Sequence, residues 1–298
     1  MHHSHTEVNR GNLVIAIVMN LSITLAEVIG GILSGSLSLI SDALHNLSDG
    51  LALVISYFAL KISQRQNNER LTFGYKRVEI LSALFNGVVL LAISAFLFKE
   101  AYTRLRNPEP INSSLMTIVA LVGLLANFIS VLILREDSHK NLNVRSAYIH
   151  LLSDTFSSIG VVTGGILIHL YGIYYIDPIL TFLIGIYIIK ESLGIIGETV
   201  EILMQAVPKG IDINKIREEI EALDEVKDLH HVHIWRLNDT SVHFEGHINL
   251  KENLTATEIV PIYRKIEDIL KSYGITHSTL QIEYECCKGV GLIKKTSL

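Results

Sequence analysis

The sequence predicts an all-α membrane domain of six transmembrane helices, followed by a cytoplasmic α+β domain of the ferredoxin-like type. The 298 residues are 49% hydrophobic and have a mean hydropathy of +0.39. Such a chain is too apolar for an ordinary soluble protein. Its first two thirds hold six apolar stretches, each long enough for a bilayer that takes roughly 20 helical residues to cross. After Pro208 the composition becomes that of a soluble domain.

The six predicted spans are separated by tight connectors and by two polar loops. Ser34-Gly-Ser and Tyr171-Gly-Ile-Tyr-Tyr are short enough to join neighbouring helices as hairpins, whereas residues 64–76 and 135–145 are polar. The predicted spans are Leu13–Leu33, Leu37–Ile62, Val78–Tyr102, Leu115–Leu134, Val144–Leu170 and Ile176–Ile196.

Lysine and arginine are unevenly divided between the two sides of these spans. The two polar loops and their helix ends carry eight: Lys61, Arg65, Arg70, Lys76, Arg77, Arg135, Lys140 and Arg145. The opposite side carries three: Lys99, Arg104 and Arg106. Because the basic side of a membrane protein faces the cytoplasm, we expect a multi-pass protein of the cell membrane with both termini inside.

Several classes of protein are excluded by composition. The net charge of −5 and the lack of a basic stripe argue against nucleic acid as a partner. The only two cysteines, Cys286 and Cys287, are adjacent, so they cannot form a disulfide framework. The first apolar segment is too long for the core of a signal peptide. No GxxxxGK[ST] motif is present, which argues against ATP-driven transport.

The C-terminal third predicts an αββαβ order, compatible with helices on one face of an antiparallel sheet. The elements are a helix at Ile213–Leu223, strands at Val226–Leu237 and Val242–Leu250, a helix at Ala256–Tyr273 and a strand at Ser278–Tyr284. We therefore divide the chain into an N-terminal tail (1–11), a transmembrane domain (12–207), a soluble domain (208–285) and a C-terminal tail (286–298). A domain of this size has a marginal core, which makes dimerisation through it plausible.

One spacing carries most of the functional information. His45 and Asp49 lie four residues apart inside the second span, and His150 and Asp154 repeat the spacing inside the fifth. Residues four apart share one helix face, about 6 Å apart along the axis. Two such helices facing each other bring together two imidazoles and two carboxylates, a ligand set suited to a tetrahedral divalent metal and above all to zinc.

Two other interpretations of this spacing exist. Each histidine could be an ordinary core residue and each aspartate a helix-packing acceptor, but unpaired carboxylates at membrane depth cost several kcal/mol each, and here there are two copies. Residues His45 to Gly50 also read HxxxDG, a catalytic motif of some acyltransferases. That enzyme needs an acyl-carrier or coenzyme A site, and nothing in the sequence supplies one.

Other polar residues lie at membrane depth. Asp42, one turn before His45, is either an acceptor that orients a ligand or binds a proton in passage, or the N-cap of its helix. Four more could line a passage: Asn20, Glu27, Asn86 and Asn127. For the asparagines we prefer hydrogen bonds between helices.

The sequence resembles the cation diffusion facilitators, in particular the bacterial zinc and cobalt–zinc–cadmium efflux branch, over nearly its whole length. The matching segments are Glu27-Val-Ile-Gly-Gly, residues 38–49, Phe73-Gly-Tyr-Lys-Arg-Val-Glu-Ile-Leu81, residues 143–154 and His230-His-Val-His-Ile-Trp235. The resemblance implies a homodimeric exporter whose transport site is His45, Asp49, His150 and Asp154.

The ligand set suggests zinc as the exported ion, with cadmium and cobalt left open. Metal binding requires neutral imidazole and ionised carboxylate, so protons compete for the same groups. Alternating exposure of the site would then give proton–metal antiport. The alternatives are a zinc-gated channel or metal sensor without coupled antiport, and an intramembrane enzyme that uses His and Asp as acid and base.

The resemblance also implies a regulatory zinc ion on the soluble domain, held by His230, His247 and Glu283 with His277 nearby. Filling that site would stabilise the dimer and favour transport. The strand period places His243, Glu245 and His247 on the exposed sheet face, together with Gln281 and Glu283. The alternative interpretation is a surface histidine cluster with incidental metal affinity.

One loop departs from the family pattern. Some family members carry a further metal site between the second and third spans, but residues 64–72 contain no histidine, so we predict that this site is absent. Soft thiolates suit zinc, so Cys286 and Cys287 could bind it together with His2, His3 and His5; their role stays open.

Overall fold

A computed structural model describes residues 10–138, 142–238, 240–286 and 291–293. The described residues belong to two compact units. The membrane unit lies within Met1–Tyr57 and Phe85–Ile196, and the soluble unit lies within Phe58–Leu84 and Gly197–Leu298. The connection between the second and third helices therefore belongs to the same unit as the C-terminal third.

Six long helices make up the first two thirds of the chain. They are α1 (Arg10–Ser34), α2 (Leu37–Ser63), α3 (Arg77–Arg106), α4 (Ser113–Ser138), α5 (Leu142–Tyr171) and α6 (Ile176–Leu203). Five of them, α2 to α6, contain described stretches long and apolar enough to cross a membrane, and α1 contributes the shorter apolar stretch Val18–Ser34. The predicted helical membrane domain is confirmed.

Small residues let α4 pack closely against its neighbours. A Cβ added to Gly123 would lie 2.1 Å from Glu27 Oε1, and one added to Gly30 would lie 2.7 Å from the Val119 side chain. Contacts that pair Gly30 with Val119 and Glu27 with Gly123 show that α1 and α4 run antiparallel. Each glycine provides the space into which the facing side chain packs.

The start of α2 is capped by a residue distant in sequence. Asp177, fully buried at the beginning of α6, accepts hydrogen bonds from the backbone N–H of Leu37 at 2.8 Å and of Ser38 at 3.1 Å. It also accepts from the hydroxyls of Ser36 and Ser38, each at 2.6 Å. These hydrogen bonds satisfy N–H groups that have no partner within α2, and the negative charge stabilises the positive end of the helix dipole. Asp42, which lies inside α2, is therefore not its N-cap.

The soluble unit adds two helices and three strands. They are α7 (Ile213–Glu221), β1 (Val226–Asn238), β2 (Ser241–Leu250), α8 (Ala256–Ser272) and β3 (His277–Tyr284). The sheet order is β1-β2-β3, with β1 and β2 antiparallel but β2 and β3 parallel. The expected fully antiparallel sheet is therefore wrong for β3, because α8 is a crossover connection that returns the chain in the direction of β2.

The core of this unit lies between the sheet and the two helices. Phe244 and Ile248 of β2 are buried against Ile216 of α7 and Ile266 of α8, as the alternation in β2 predicts. The opposite face of the sheet carries the histidines. β1 has an irregular register between His230 and His233, where His231 has a positive φ of 52°.

Two further segments pack within the soluble unit. Leu292 follows the last strand, and its carbonyl accepts from the Val232 backbone N–H at 2.9 Å. In the connection between α2 and α3, Asn68 Oδ1 accepts from the backbone N–H groups of Arg70 and Leu71, which forms a turn. That turn leads to Phe73, whose ring meets the His243 ring edge-on at 5.5 Å.

Candidate metal sites

The structure brings His45, Asp49, His150 and Asp154 together between α2 and α5; we call them the membrane site. The Asp49 carboxylate lies 3.6 Å from His45 Nε2 and 3.3 Å from His150 Nε2. Asp154 lies 3.5 Å from the same His150 nitrogen. The contacts therefore form a chain in which Asp49 and His150 are the two inner members.

The two carboxylate oxygens that contact histidines in the membrane site are not engaged in ordinary hydrogen bonds. Asp49 Oδ2 and Asp154 Oδ2 are buried and have no hydrogen-bond partner among the described residues. The inner pair, Asp49 and His150, retains 29% and 33% side-chain exposure, whereas Asp154 is almost fully buried. Buried carboxylate oxygens that lack hydrogen-bond partners and lie beside imidazole nitrogens are donors that a cation can use.

Two residues of α6 also approach this site, and sequence reasoning missed them. The Tyr187 ring meets the His45 ring edge-on at 6.0 Å. Glu191, one turn further along α6, lies within electrostatic range of His45 and Asp154. A Tyr and a Glu four residues apart inside an apolar span were the signal that could have identified them.

Asp42 lies beside the membrane site rather than in it. Its carboxylate accepts hydrogen bonds from the hydroxyls of Ser157 at 2.5 Å and Ser158 at 3.4 Å, both on α5. Asp154 is one turn earlier on the same helix. Asp42 therefore connects α2 to α5 next to the predicted ligands, which is consistent with the acceptor role among the two that the sequence left open.

A second group of metal-binding side chains, the sheet cluster, consists of His230, His247 and Glu283. One ligand atom from each lies within 4.8 Å of the others. Glu283 is 3.3 Å from His230 Nε2 through one oxygen and 2.7 Å from His247 Nδ1 through the other. His230 Nε2 is buried and has no hydrogen-bond partner among the described residues. The donor set therefore fits a divalent metal.

Neighbouring polar groups hold the sheet cluster in place. Asp228 lies 2.6 Å from His230 Nδ1 and accepts from the Asn249 amide at 3.0 Å. Gln281 donates to Glu283 at 2.8 Å. A carboxylate on the second nitrogen of a histidine fixes its tautomer and raises its basicity as a ligand. Sequence reasoning did not identify Asp228, although its i, i+2 spacing from His230 on a strand was the available signal.

The structure does not bring His277 into the sheet cluster. The parallel register of β2 and β3 pairs His277 with His243, four residues before His247. The two rings lie 4.9 Å apart, and the His243 ring also stacks on Trp235 at 5.4 Å. Burial, together with the nearby His277 and Lys76, lowers the pKa of His243. His243, expected on an exposed face, is buried because Phe73 and Trp235 lie against it.

The remaining candidate ligands give little further information. His2, His3, His5 and Cys287 lie outside the described residues, and Cys286 is exposed. In the connection between α2 and α3, Asn67 donates to the Thr72 carbonyl at 3.0 Å. The absence of a third metal site in that loop stays a prediction.

Comparisons with known proteins agree on one family. The cation efflux transmembrane domain matches residues 13–204, and the cytoplasmic domain of cation efflux proteins matches residues 208–285. A cadmium, cobalt and zinc/H(+)-K(+) antiporter of Bacillus subtilis is 35% identical, over 96% of this chain and 93% of the relative. The zinc transporter ZitB of Pectobacterium atrosepticum is 36% identical, over 96% and 89%. The metal cation efflux protein CzcD of Cupriavidus metallidurans is 34% identical, over 96% and 90%.

Proposed function

The chain belongs to the cation efflux family, the cation diffusion facilitators, and we propose that it exports zinc across the cell membrane in exchange for protons. The family is one of multi-pass membrane transporters.

The contact distances of the membrane site carry this proposal. Zinc binds imidazole nitrogen and carboxylate oxygen at about 2.0 Å in tetrahedral geometry, which places neighbouring ligand atoms about 3.3 Å apart. The three close pairs of the membrane site are separated by 3.3, 3.5 and 3.6 Å. Each of these distances exceeds that of a good hydrogen bond between charged groups and is close to the length of one edge of a zinc tetrahedron. The three contacts form an open chain, so an ion bound by His45, Asp49, His150 and Asp154 together would draw the two ends of the chain towards it.

The same four groups provide for exchange with protons. Zinc binds the neutral imidazole and the ionised carboxylate, so binding displaces protons and protonation displaces zinc. If the site opens alternately to the two sides of the membrane, cytoplasmic zinc is captured on one side and released by protons on the other. The three relatives named above are described as transporters or efflux proteins for zinc, cadmium and cobalt or for metal cations, which supports zinc first and leaves the other two as further cargo.

The sheet cluster fits a second, regulatory zinc ion. His230, His247 and Glu283 would hold it, and Asp228 would orient His230. Its ligands lie within residues 208–285, which match the cytoplasmic domain of cation efflux proteins. We propose that zinc bound there stabilises a homodimer and favours transport, and that both termini lie in the cytoplasm, where the eight basic residues are.

One experiment tests the transport proposal directly. The purified protein is reconstituted into vesicles, and lumenal zinc and lumenal pH are followed together under an imposed proton gradient. Antiport predicts that zinc flux moves protons in the opposite direction and stops when the gradient is abolished. Zinc flux that neither moves protons nor depends on the gradient identifies a zinc-gated channel instead. Cadmium and cobalt, tested in competition, rank the cargo.

A further inference from the structure

A second carboxylate is buried in the membrane unit, away from the metal ligands. Glu27 of α1 is fully buried. Its Oε2 accepts a hydrogen bond from the Asn46 amide at 3.5 Å, whereas Oε1 has no hydrogen-bond partner among the described residues. No described Lys, Arg or His forms an ion pair with it. A carboxylate in such a place is costly when ionised, and it is much less costly when it carries a proton.

The helix opposite Glu27 is shaped to receive it. Glu27 Oε1 occupies the space in which a side chain on Gly123 would begin, 2.1 Å from the position of a Cβ. Because α1 and α4 run antiparallel, Asn127 of α4 lies near the turn of α1 that contains Asn20. Asn127 is fully buried, and its side-chain amide has no partner among the described residues. Buried polar groups therefore continue along the α1–α4 contact from Glu27 toward the N-terminal end of α1.

Glu27 is also connected to the membrane site. Its partner Asn46 follows His45 directly on α2. Asp42 on α2 and Asp154 on α5 lie within electrostatic range of Glu27. Asp42 in turn holds α5 through the hydroxyl of Ser157. The groups that face Glu27 are thus Asn46 and Asp42 from α2, Gly123 from α4 and Asp154 from α5, and none of these is a cation.

We propose that Glu27, supported by Asn46 and Asp42, is a proton-binding site of the transport cycle, separate from the four metal ligands. The inference rests on the proposed antiport. A proton suits this place better than a potassium ion, because Glu27 Oε1 is pressed against Gly123 and a proton requires no volume. Without zinc, the ionised Asp42 and Asp154 repel a charge on Glu27 and favour its protonated form, whereas zinc bound at Asp154 adds positive charge and favours the ionised form, so that Glu27 loses its proton when zinc binds and regains one when zinc leaves. Zinc and proton thereby occupy different carboxylates of one network.

The test is the number of protons moved per zinc ion in vesicles that contain wild type, Glu27→Gln or Glu100→Gln. Glutamine keeps the shape of the carboxyl and cannot carry a titrating proton. We expect Glu27→Gln to move about one proton fewer per zinc ion, because one carboxyl carries one proton. Zinc should still bind to the variant in detergent, since the four metal ligands are unchanged. Glu100→Gln, on an exposed turn of α3, should keep the wild-type ratio.

Three outcomes overturn the inference. The first is a wild-type proton-to-zinc ratio in Glu27→Gln, and the second is a ratio that changes with potassium rather than with pH. If Glu27→Gln does not transport, the wild-type protein is treated with dicyclohexylcarbodiimide, which modifies protonated carboxyls in apolar surroundings, and Glu27 is examined by mass spectrometry. Modification of Glu27 that increases as the pH falls supports the proposal. The third outcome that overturns it is the absence of Glu27 modification at every pH. If the wild-type protein moves zinc without moving protons, the proposed antiport is itself refuted, and this is known before any variant is compared.

Discussion

The membrane site and the sheet cluster use the same kinds of ligand but hold them differently. In the membrane site, Asp49 Oδ2 and Asp154 Oδ2 have no hydrogen-bond partner among the described residues. In the sheet cluster, Glu283 Oε1 meets both His247 and Gln281, and His230 is held by Asp228. The ligands of the first site lie on two helices and those of the second on three hydrogen-bonded strands.

This contrast indicates different tasks. A ligand that is held by few other groups can exchange a metal ion for a proton at small structural cost, as a transport site requires. A ligand oriented by its neighbours keeps its geometry with or without metal, which favours tight retention. We therefore expect variants of the membrane site to affect flux and variants of the sheet cluster to affect occupancy.

The largest effect is expected for Asp154→Asn. The substitution removes one of two carboxylates that face His150, and zinc transport in vesicles should fall by more than about 100-fold, because loss of even an outer-sphere partner typically costs 10- to 100-fold. The matched control Asp268→Asn changes an exposed aspartate of α8 and should transport normally. Transport by Asp154→Asn at near wild-type rates would refute the assignment of the membrane site.

The next effect separates the two sites. Glu283→Gln removes the only carboxylate of the sheet cluster, and we expect the affinity for the second zinc ion to fall by more than about 100-fold. Zinc binding at the membrane site should be unchanged. Calorimetric titration in detergent should resolve the two ions, with Glu252→Gln on an exposed loop as control. Loss of the membrane-site ion in Glu283→Gln would show that the two sites are not independent.

Asp228→Asn tests whether orientation of His230 matters. The amide is a weaker acceptor for the histidine N–H, so the affinity of the sheet cluster should fall about tenfold, less than for Glu283→Gln. The same titration measures it. Asp224→Asn is the control, because only the backbone carbonyl of Asp224 is used, by Lys251. Equal affinities for wild type and Asp228→Asn would remove Asp228 from the site.

The smallest effect concerns the pH dependence of stability that comes from His243, which is buried against Phe73. Because the pKa of His243 is lowered in the folded state, this state binds fewer protons than the unfolded chain. The stability that neutral His243 contributes is complete above the pKa of histidine in the unfolded chain, about 6.5, and is lost as the pH falls below that pKa. We expect His243→Asn to unfold at a midpoint that depends less on pH between about 7 and about 5.5. The exposed His233→Asn should retain the wild-type dependence; an unchanged slope in His243→Asn would contradict the prediction.

Much of the membrane unit could be predicted from local sequence patterns, whereas the soluble unit could be predicted only in part. Apolar length predicted the long helices, and the four-residue spacing of His45 and Asp49 placed both on one face of α2. The direction of β3 could not be predicted, because the residues of Ser278–Tyr284 do not show whether this strand runs parallel or antiparallel to β2. The parallel register places His277 against His243, whereas the family resemblance implied a position near His247.

The sequence by itself determined which ionisable residues lie inside apolar helices and which pairs share a face. Hydropathy and helical period are local properties, so no folding information was needed. Only the tertiary structure decided which atoms meet across the chain: Asp177 caps α2, Glu27 packs into the space at Gly123, and Asp228 orients His230. These contacts join residues up to 141 positions apart. They depend on helix packing and strand register, which the order of residue types does not specify.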